Sequence, residues 1–240
     1  AISLWIFLYY FMLGEIIMYF KDYMKMMRDR DKITQAELAD ALNVSLNTIK
    51  KIESGATKVP NTKLLNSIAK YEKSHPCKVL SRILFGDIAE DNDERSKKAM
   101  ELTFAYFSYM YLEGWNIDHI FNVEYVDDIG DRQFIGEISK KKDSKYVLLI
   151  DYIDRYQLDT RYIDYKEYQI GFFAQIFTTM ISIDKKYKGM NILFNANDEN
   201  EAIIFDALKS FETDHVKSQI TYILFDSNEY KIKVTHLVTK

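Results

Sequence analysis

Apolar residues recur along this chain with two different periods, and the change of period divides it. Between residues 18 and 86 they fall three and four apart, the spacing of one helix face. Five helices are predicted there. The first covers residues 20–31. Thr34-Gln-Ala-Glu37 is a capping box, so the second begins at Gln35, with Leu38, Ala39 and Leu42 on one face. Asn43-Val44 forms a turn, Ser45 caps a third helix running through Ser54, and Gly55 ends it. Asn61 caps a fourth with Leu64, Leu65, Ile68 and Ala69 inward, and Pro76 stands in the first turn of a fifth that ends near Gly86.

Beyond this bundle the pattern changes. Residues 87–95 are acidic and polar, a linker or helix entry. A long amphipathic helix to Glu113 carries Met100, Phe104, Phe107 and Tyr111 on one stripe, and Gly114 stops it. Strands are predicted at 117–126, 132–139 and 146–153, then an all-round apolar, buried helix at 165–183. A strand at 190–196, a helix at 199–211 and strands at 220–225 and 230–238 complete the chain. The expected fold is therefore α + α/β: a helical domain over 18–86 and a mixed α/β domain over 94–240.

Residues 1–17 are mostly apolar with Glu15 their one charged residue, and three readings stand side by side. About 20 apolar residues can span a bilayer, and Lys21, Lys25, Arg28 and Arg30 behind the run would keep the rest of the chain cytoplasmic. Alternatively, Gly14-Glu15 can be encoded as a purine-rich ribosome-binding site spaced before a start codon at Met18, which makes 1–17 an untranslated upstream region. The third reading is a helix packed on the protein. A membrane partner follows only from the first.

Charge sharpens the division. The net charge is −4, yet residues 18–86 carry 13 Lys/Arg against 7 Asp/Glu, while 87–240 carry 19 against 28. An anionic partner is expected on the basic helical part. The single cysteine, Cys77, excludes an internal disulfide framework and any multi-cysteine zinc site, and fits a cytoplasmic location.

Two short helices joined by a tight turn, the second of them basic, have the geometry that docks on DNA. Gln35 opens the first, where helical N–H groups can hold a phosphate. The second turns Leu46, Asn47, Lys50 and Lys51 outward and Ile49 and Ile52 inward. Asn can bond adenine at two atoms, Lys can donate to guanine, and an apolar side chain can touch the thymine methyl. The residues Thr34-Gln-Ala-Glu-Leu-Ala39, Val44-Ser45, Thr48-Ile49 and Ile52-Glu53-Ser-Gly55, with Pro60 after them, resemble the Cro/repressor (XRE) type of helix-turn-helix over about residues 20–73. That resemblance implies a five-helix, lambda-repressor-like domain whose third helix reads the major groove, commonly as a homodimer on a palindromic operator. Carried over by position, Leu46, Asn47 and Lys51 are base contacts. Gln35, Ser45, Lys50, Thr57 and Lys58 are backbone contacts, and Glu53 is a structural acid. Val59 departs from the pattern, which places a basic or polar residue there.

The order helix, three strands, helix, strand over 94–240 resembles the restriction-endonuclease-like, PD-(D/E)XK fold. Such enzymes hold a divalent metal between two carboxylates, with a lysine two residues after the second. Glu137 and Asp151 are the candidate acids here, but Ile153 occupies the lysine position, and only Lys140 on the neighbouring strand offers a cation. No DNA or RNA cleavage is therefore expected. His75, His119, His215 and His236 show no metal-ligand spacing, and no phosphate-cradling glycine motif occurs. No cofactor or metal is expected. Lys140-Lys-Lys142 with Lys145 reads as a solvated basic turn, and Tyr106, Tyr109, Phe172, Phe173 and Phe177 as core or dimer interface. The expected function is sequence-specific DNA binding by a transcriptional repressor, its second domain dimerising or sensing an effector. The alternatives are a helix-turn-helix-guided endonuclease and an antitoxin-like autorepressor that binds a partner protein.

Overall fold

A computed structural model of the chain describes residues 20–86, 94–124, 132–140, 145–150, 187–209 and 219–238. The described residues fall into two units that part between residues 92 and 93, with Phe107–Leu112 counted with the first.

In the first unit, local signals set each helix boundary. Helix α1 (Phe20–Asp31) buries Phe20, Tyr23, Met24 and Met27, a three-four repeat. Helix α2 (Gln35–Ala41) opens on the predicted capping box. The Thr34 hydroxyl accepts from the Glu37 N–H at 3.2 Å, and the Glu37 carboxylate accepts from the Thr34 N–H at 2.7 Å. Asn43 takes the left-handed conformation (φ 53°) and turns the chain into α3 (Leu46–Glu53), capped by Ser45. Gly55, at φ 80°, follows the end of α3, a conformation open to glycine at no steric cost. Asn61 caps α4 (Thr62–Glu72) through a 2.9 Å bond from the Leu64 N–H. Helix α5 (Pro76–Phe85) begins on the predicted Pro76, and its cap is His75, whose Nδ1 accepts from the Cys77 N–H at 3.2 Å. Leu38, Leu42, Ile49, Ile52, Leu65, Ile68, Leu80 and Ile83 make the fully buried centre of the bundle.

The long helix α6 (Glu94–Leu112) departs from the single-stripe expectation. Leu102, Ala105, Tyr106, Phe107 and Met110 are buried, and so are Thr103 and Ser108, whereas Met100, Phe104 and Tyr111 are only half-buried. In the first unit the Phe107 ring lies 6.4 Å from that of Phe85.

The second unit holds a six-stranded sheet with the strands in chain order: β1 (Asn116–Glu124), β2 (Arg132–Ser139), β3 (Lys145–Ile150), β4 (Tyr187–Asn195), β5 (Gln219–Asp226) and β6 (Lys231–Leu237). Strands β1, β2 and β3 form an antiparallel meander, β3–β4 and β4–β5 are parallel, and β5–β6 is antiparallel. A parallel step needs a crossover. The one between β4 and β5 contains helix α7 (Glu199–Leu208). The predicted helix at 165–183 lies outside the described residues. Strands β4 and β5 are buried on both faces, as parallel central strands require. Met190, Ile192, Phe194, Ile220 and Tyr222 pack with Ile204, Phe205 and Leu208 of α7 on one face. On the other, Tyr106 meets the Phe225 ring edge-on at 5.3 Å. At the carboxyl ends of β4 and β5, Asp226 accepts from the Asn197 amide and from two backbone N–H groups and pairs with Lys233 at 2.9 Å. Burial alone would raise its carboxyl, but these donors hold it at about 2.

Candidate nucleic-acid interface

Helix α3 is two-faced. Ile49 and Ile52 are wholly buried, while Asn47, Lys50 and Lys51 are exposed and Leu46 retains 39% of its surface. Leu46, the first residue of this basic helix, is among the exposed large hydrophobic residues. Lys50 and Lys51 in the last turn also suit the C-terminal end of the helix dipole.

The orientation of α3 is fixed from its far end. The Glu53 side chain is 6% exposed. One carboxylate oxygen accepts from the Arg28 Nε at 3.1 Å, the other from the Gln35 side-chain amide at 2.9 Å. One buried acid thus joins α1, the first residue of α2 and the last of α3. Bonded to that carboxylate, the Arg28 guanidinium holds its proton more tightly than an ordinary arginine. Glu53 is the last residue of α3, where the family resemblance implies a structural acid, and its two donors come from other elements. Their signal is weak in sequence, because Arg28 is 25 residues away.

The residues read as backbone contacts fall into two kinds. The Ser45 hydroxyl is committed to its cap, accepting from the Thr48 N–H at 3.1 Å and lying 2.9 Å from the Thr48 hydroxyl. The Gln35 amide is likewise engaged by Glu53, which leaves its backbone N–H at the helix start. Lys50 and Lys58 are exposed, and Thr57 is half-buried with its N–H on the Lys51 carbonyl at 3.1 Å. Val59 is half-buried and Pro60 buried, so the apolar departure at 59 serves packing.

A second polar knot ties α1 to α4. Glu72 accepts from Arg30 at 3.0 Å and from the Tyr23 hydroxyl, and Tyr71 donates to Asp31 at 2.7 Å. Burial, then the Glu72 carboxylate, pushes the Tyr23 phenol well above its ordinary range. Arg30, then Tyr71, holds the Asp31 carboxyl down at about 2.

Of the nuclease candidates, Glu137 and Lys140 lie among the described residues. Glu137 sits in β2 opposite His119 of β1 and Val147 of β3. Asp151 and Ile153 lie outside the described residues. The Lys140 ammonium lies 5.6 Å from the centre of the Trp115 ring, a cation–π contact. Of the histidines, His75 caps α5, and His236 pairs across the strands with Tyr222, their rings 6.3 Å apart. His215, Lys141, Lys142, Phe172, Phe173 and Phe177 lie outside the described residues, while Tyr106 is buried and Tyr109 half-buried. Among the described residues no three His, Cys, Asp or Glu side chains are grouped to hold a metal ion. No helix among them is long and apolar enough to cross a membrane, and residues 1–17 lie outside them.

Comparison with known proteins places this geometry. No curated protein and no solved structure matches the chain. A family model described as helix-turn-helix, HTH_3, matches residues 24–71, from the middle of α1 to the last turn of α4. That span contains the capping box, the turn at Asn43, the exposed basic helix and the acid that locks it, so over these residues the chain is similar to the helix-turn-helix family.

Proposed function

We propose that the protein is a sequence-specific transcriptional repressor that reads the major groove of its operator with α3. Leu46, Asn47 and Lys51 contact bases: Asn47 pairs with adenine, Lys51 with guanine, and Leu46 packs on a thymine methyl. Lys50, Lys58, Thr57, the backbone at Ser45 and the N–H of Gln35 hold phosphates and set the register. The observation that carries this reading is the outward set on α3, polar and basic apart from Leu46, on a helix whose inner face and far end are both locked. A pure protein-contact helix would turn a broader apolar face outward. The protein acts as a homodimer on a palindrome, and the α/β part supplies dimerisation or takes up an effector or partner protein. The nuclease alternative is not adopted, because Ile153 stands where the lysine is needed.

The test begins with selection of bound sequences from a random duplex pool by the full chain, followed by gel shift on the selected operator. Asn47→Ala and Lys51→Ala should each weaken specific binding by about 1–3 kcal/mol. Asn47→Ala should leave binding to random duplex nearly unchanged. Wild-type operator affinity in the double variant would remove α3 from the reading role.

A further inference from the structure

Strand β6 closes one end of the sheet, and among the described residues no strand pairs with its outer edge. Its bonding to β5 fixes which backbone groups point outward. The Val238 N–H donates to the Ile220 carbonyl at 2.9 Å, and the same register continues through Tyr222–His236 and Leu224–Val234. Hydrogen-bonded and non-hydrogen-bonded pairs alternate along an antiparallel ladder, so Thr235 and Leu237 turn their N–H and carbonyl groups away from β5. The side chains are open there as well. Val234, Thr235 and Leu237 are exposed, with 38% of Val234 and 51% of Leu237 accessible. Such edges are usually guarded by charge, proline or a bulge. Here the guards stand at one end. Lys231 and Lys233 precede the open stretch, and the ladder is irregular between Leu224 and Phe225, beside Lys233. Both ammonium groups are engaged by their own chain, Lys231 by Glu229, and Lys233 by Asp226 at 2.9 Å and Glu229 at 3.0 Å. Residues 234–238, Val-Thr-His-Leu-Val, include no acid, lysine, arginine or proline.

From this arrangement we infer that the outer edge of β6 pairs antiparallel with β6 of a second copy of the chain, joining two sheets into one. Charge and self-fit argue for that occupant. Free lysines would draw a foreign acidic strand, but these two are already paired. Pairing of β6 with itself about Thr235 sets Thr235 opposite Thr235, Val234 opposite His236 and Lys233 opposite Leu237 of the second copy. No like charges meet, and threonine pairs are favourable across strands. The contact is isologous, so it closes at two copies and leaves no edge of β6 open to a third. This inference rests on the homodimer proposed above and names its surface.

The test is sedimentation equilibrium of the full chain without DNA, so its outcome is separate from whether α3 reads an operator. The wild type should associate to the mass of two chains. Thr235→Pro removes one outward N–H from each copy and spares the bonds to β5. It should weaken the dimer about thirtyfold, the loss of two net hydrogen bonds. Thr235→Val keeps that N–H and should dimerise nearly as the wild type does. Leu237→Lys sets a lysine against Lys233 of the second copy, so its dimer should weaken at low salt and recover in part at high salt. Circular dichroism of each variant should match that of the wild type. A wild type that stays monomeric at every concentration reached overturns the pairing. A dimer that survives both Thr235→Pro and Leu237→Lys also overturns it, and the homodimer then stands on another surface.

Discussion

At the scale of single residues, two side chains carry more of the architecture than their types suggest. Glu53 is a buried carboxylate with one partner on α1 and another on α2, so its removal unties both and strands the Arg28 charge. Glu53→Ala should lower stability by about 1–3 kcal/mol, the range for hydrogen bonds to a charged group, read from the urea midpoint of the full chain. Glu53→Gln should cost less. His75 is the second. Its Nδ1 accepts the Cys77 N–H only when unprotonated, and burial lowers its protonation below the ordinary value of 6.5. The unfolded chain therefore binds the extra proton more readily, and stability rises with pH across that interval. The contribution is full above 6.5 and is lost as pH falls through the folded value. His75→Asn keeps a capping side chain that does not titrate, so its stability between about pH 7.5 and pH 5 should fall less steeply than that of the wild type. Parallel pH profiles would exclude the histidine cap as the cause.

At the scale of elements, the helical unit is punctuated almost residue by residue by caps. Thr34, Ser45, Asn61 and His75 each accept a backbone N–H at a helix start. The end of α3 depends on Gly55. A Cβ built there would lie 3.7 Å from the Lys21 Cδ, an ordinary contact, so the obstacle is conformational: φ is +80°. Gly55→Ala should destabilise by about 1–2 kcal/mol, and Gly55→Asn by less, because asparagine tolerates the left-handed region better. Equal denaturant midpoints for glycine and alanine would mean that α3 ends by another device. The capping motifs were legible because each is a local contest for unsatisfied N–H groups, decided within four residues. Helix α6 is legible as an element but not in its buried face: Met100, Phe104 and Tyr111 of its stripe are only half-buried while Thr103 and Ser108 are buried, because burial is set by tertiary packing that no local pattern encodes.

At the scale of the whole molecule, charge separates the two parts of the chain. Residues 18–86 carry an excess of six positive charges, within a chain of net charge −4. Association of that surface with DNA should displace counterions, so log affinity should fall steeply and linearly with log salt. Lys58 is exposed just beyond α3 and tests this directly. Lys58→Ala should reduce the slope by about one and weaken operator and random duplex alike, unlike Asn47→Ala. A flat salt dependence in the wild type would point to a protein-contact bundle.

The sequence by itself determined the helical unit nearly to the residue: α1, the start of α2, the Ser45 cap, the glycine stop and the Pro76 start all follow from side chains within a few positions of one another. It also marked which positions of α3 face outward, because a period of 3.6 assigns every residue to a side. The strands were legible as elements, with ends shifted by a few residues, since alternation of side chains is also local. Only the tertiary structure decided how they pair. The parallel steps β3–β4 and β4–β5 join residues separated by a crossover, and nothing within a strand encodes its neighbour. The same holds for the carboxylate knots. Glu53 with Arg28, and Glu72 with Tyr23 and Arg30, link residues 25, 49 and 42 apart. Their acidity, burial and partnership exist only once the helices have packed, because a charge is costly to bury until its partner arrives from another element.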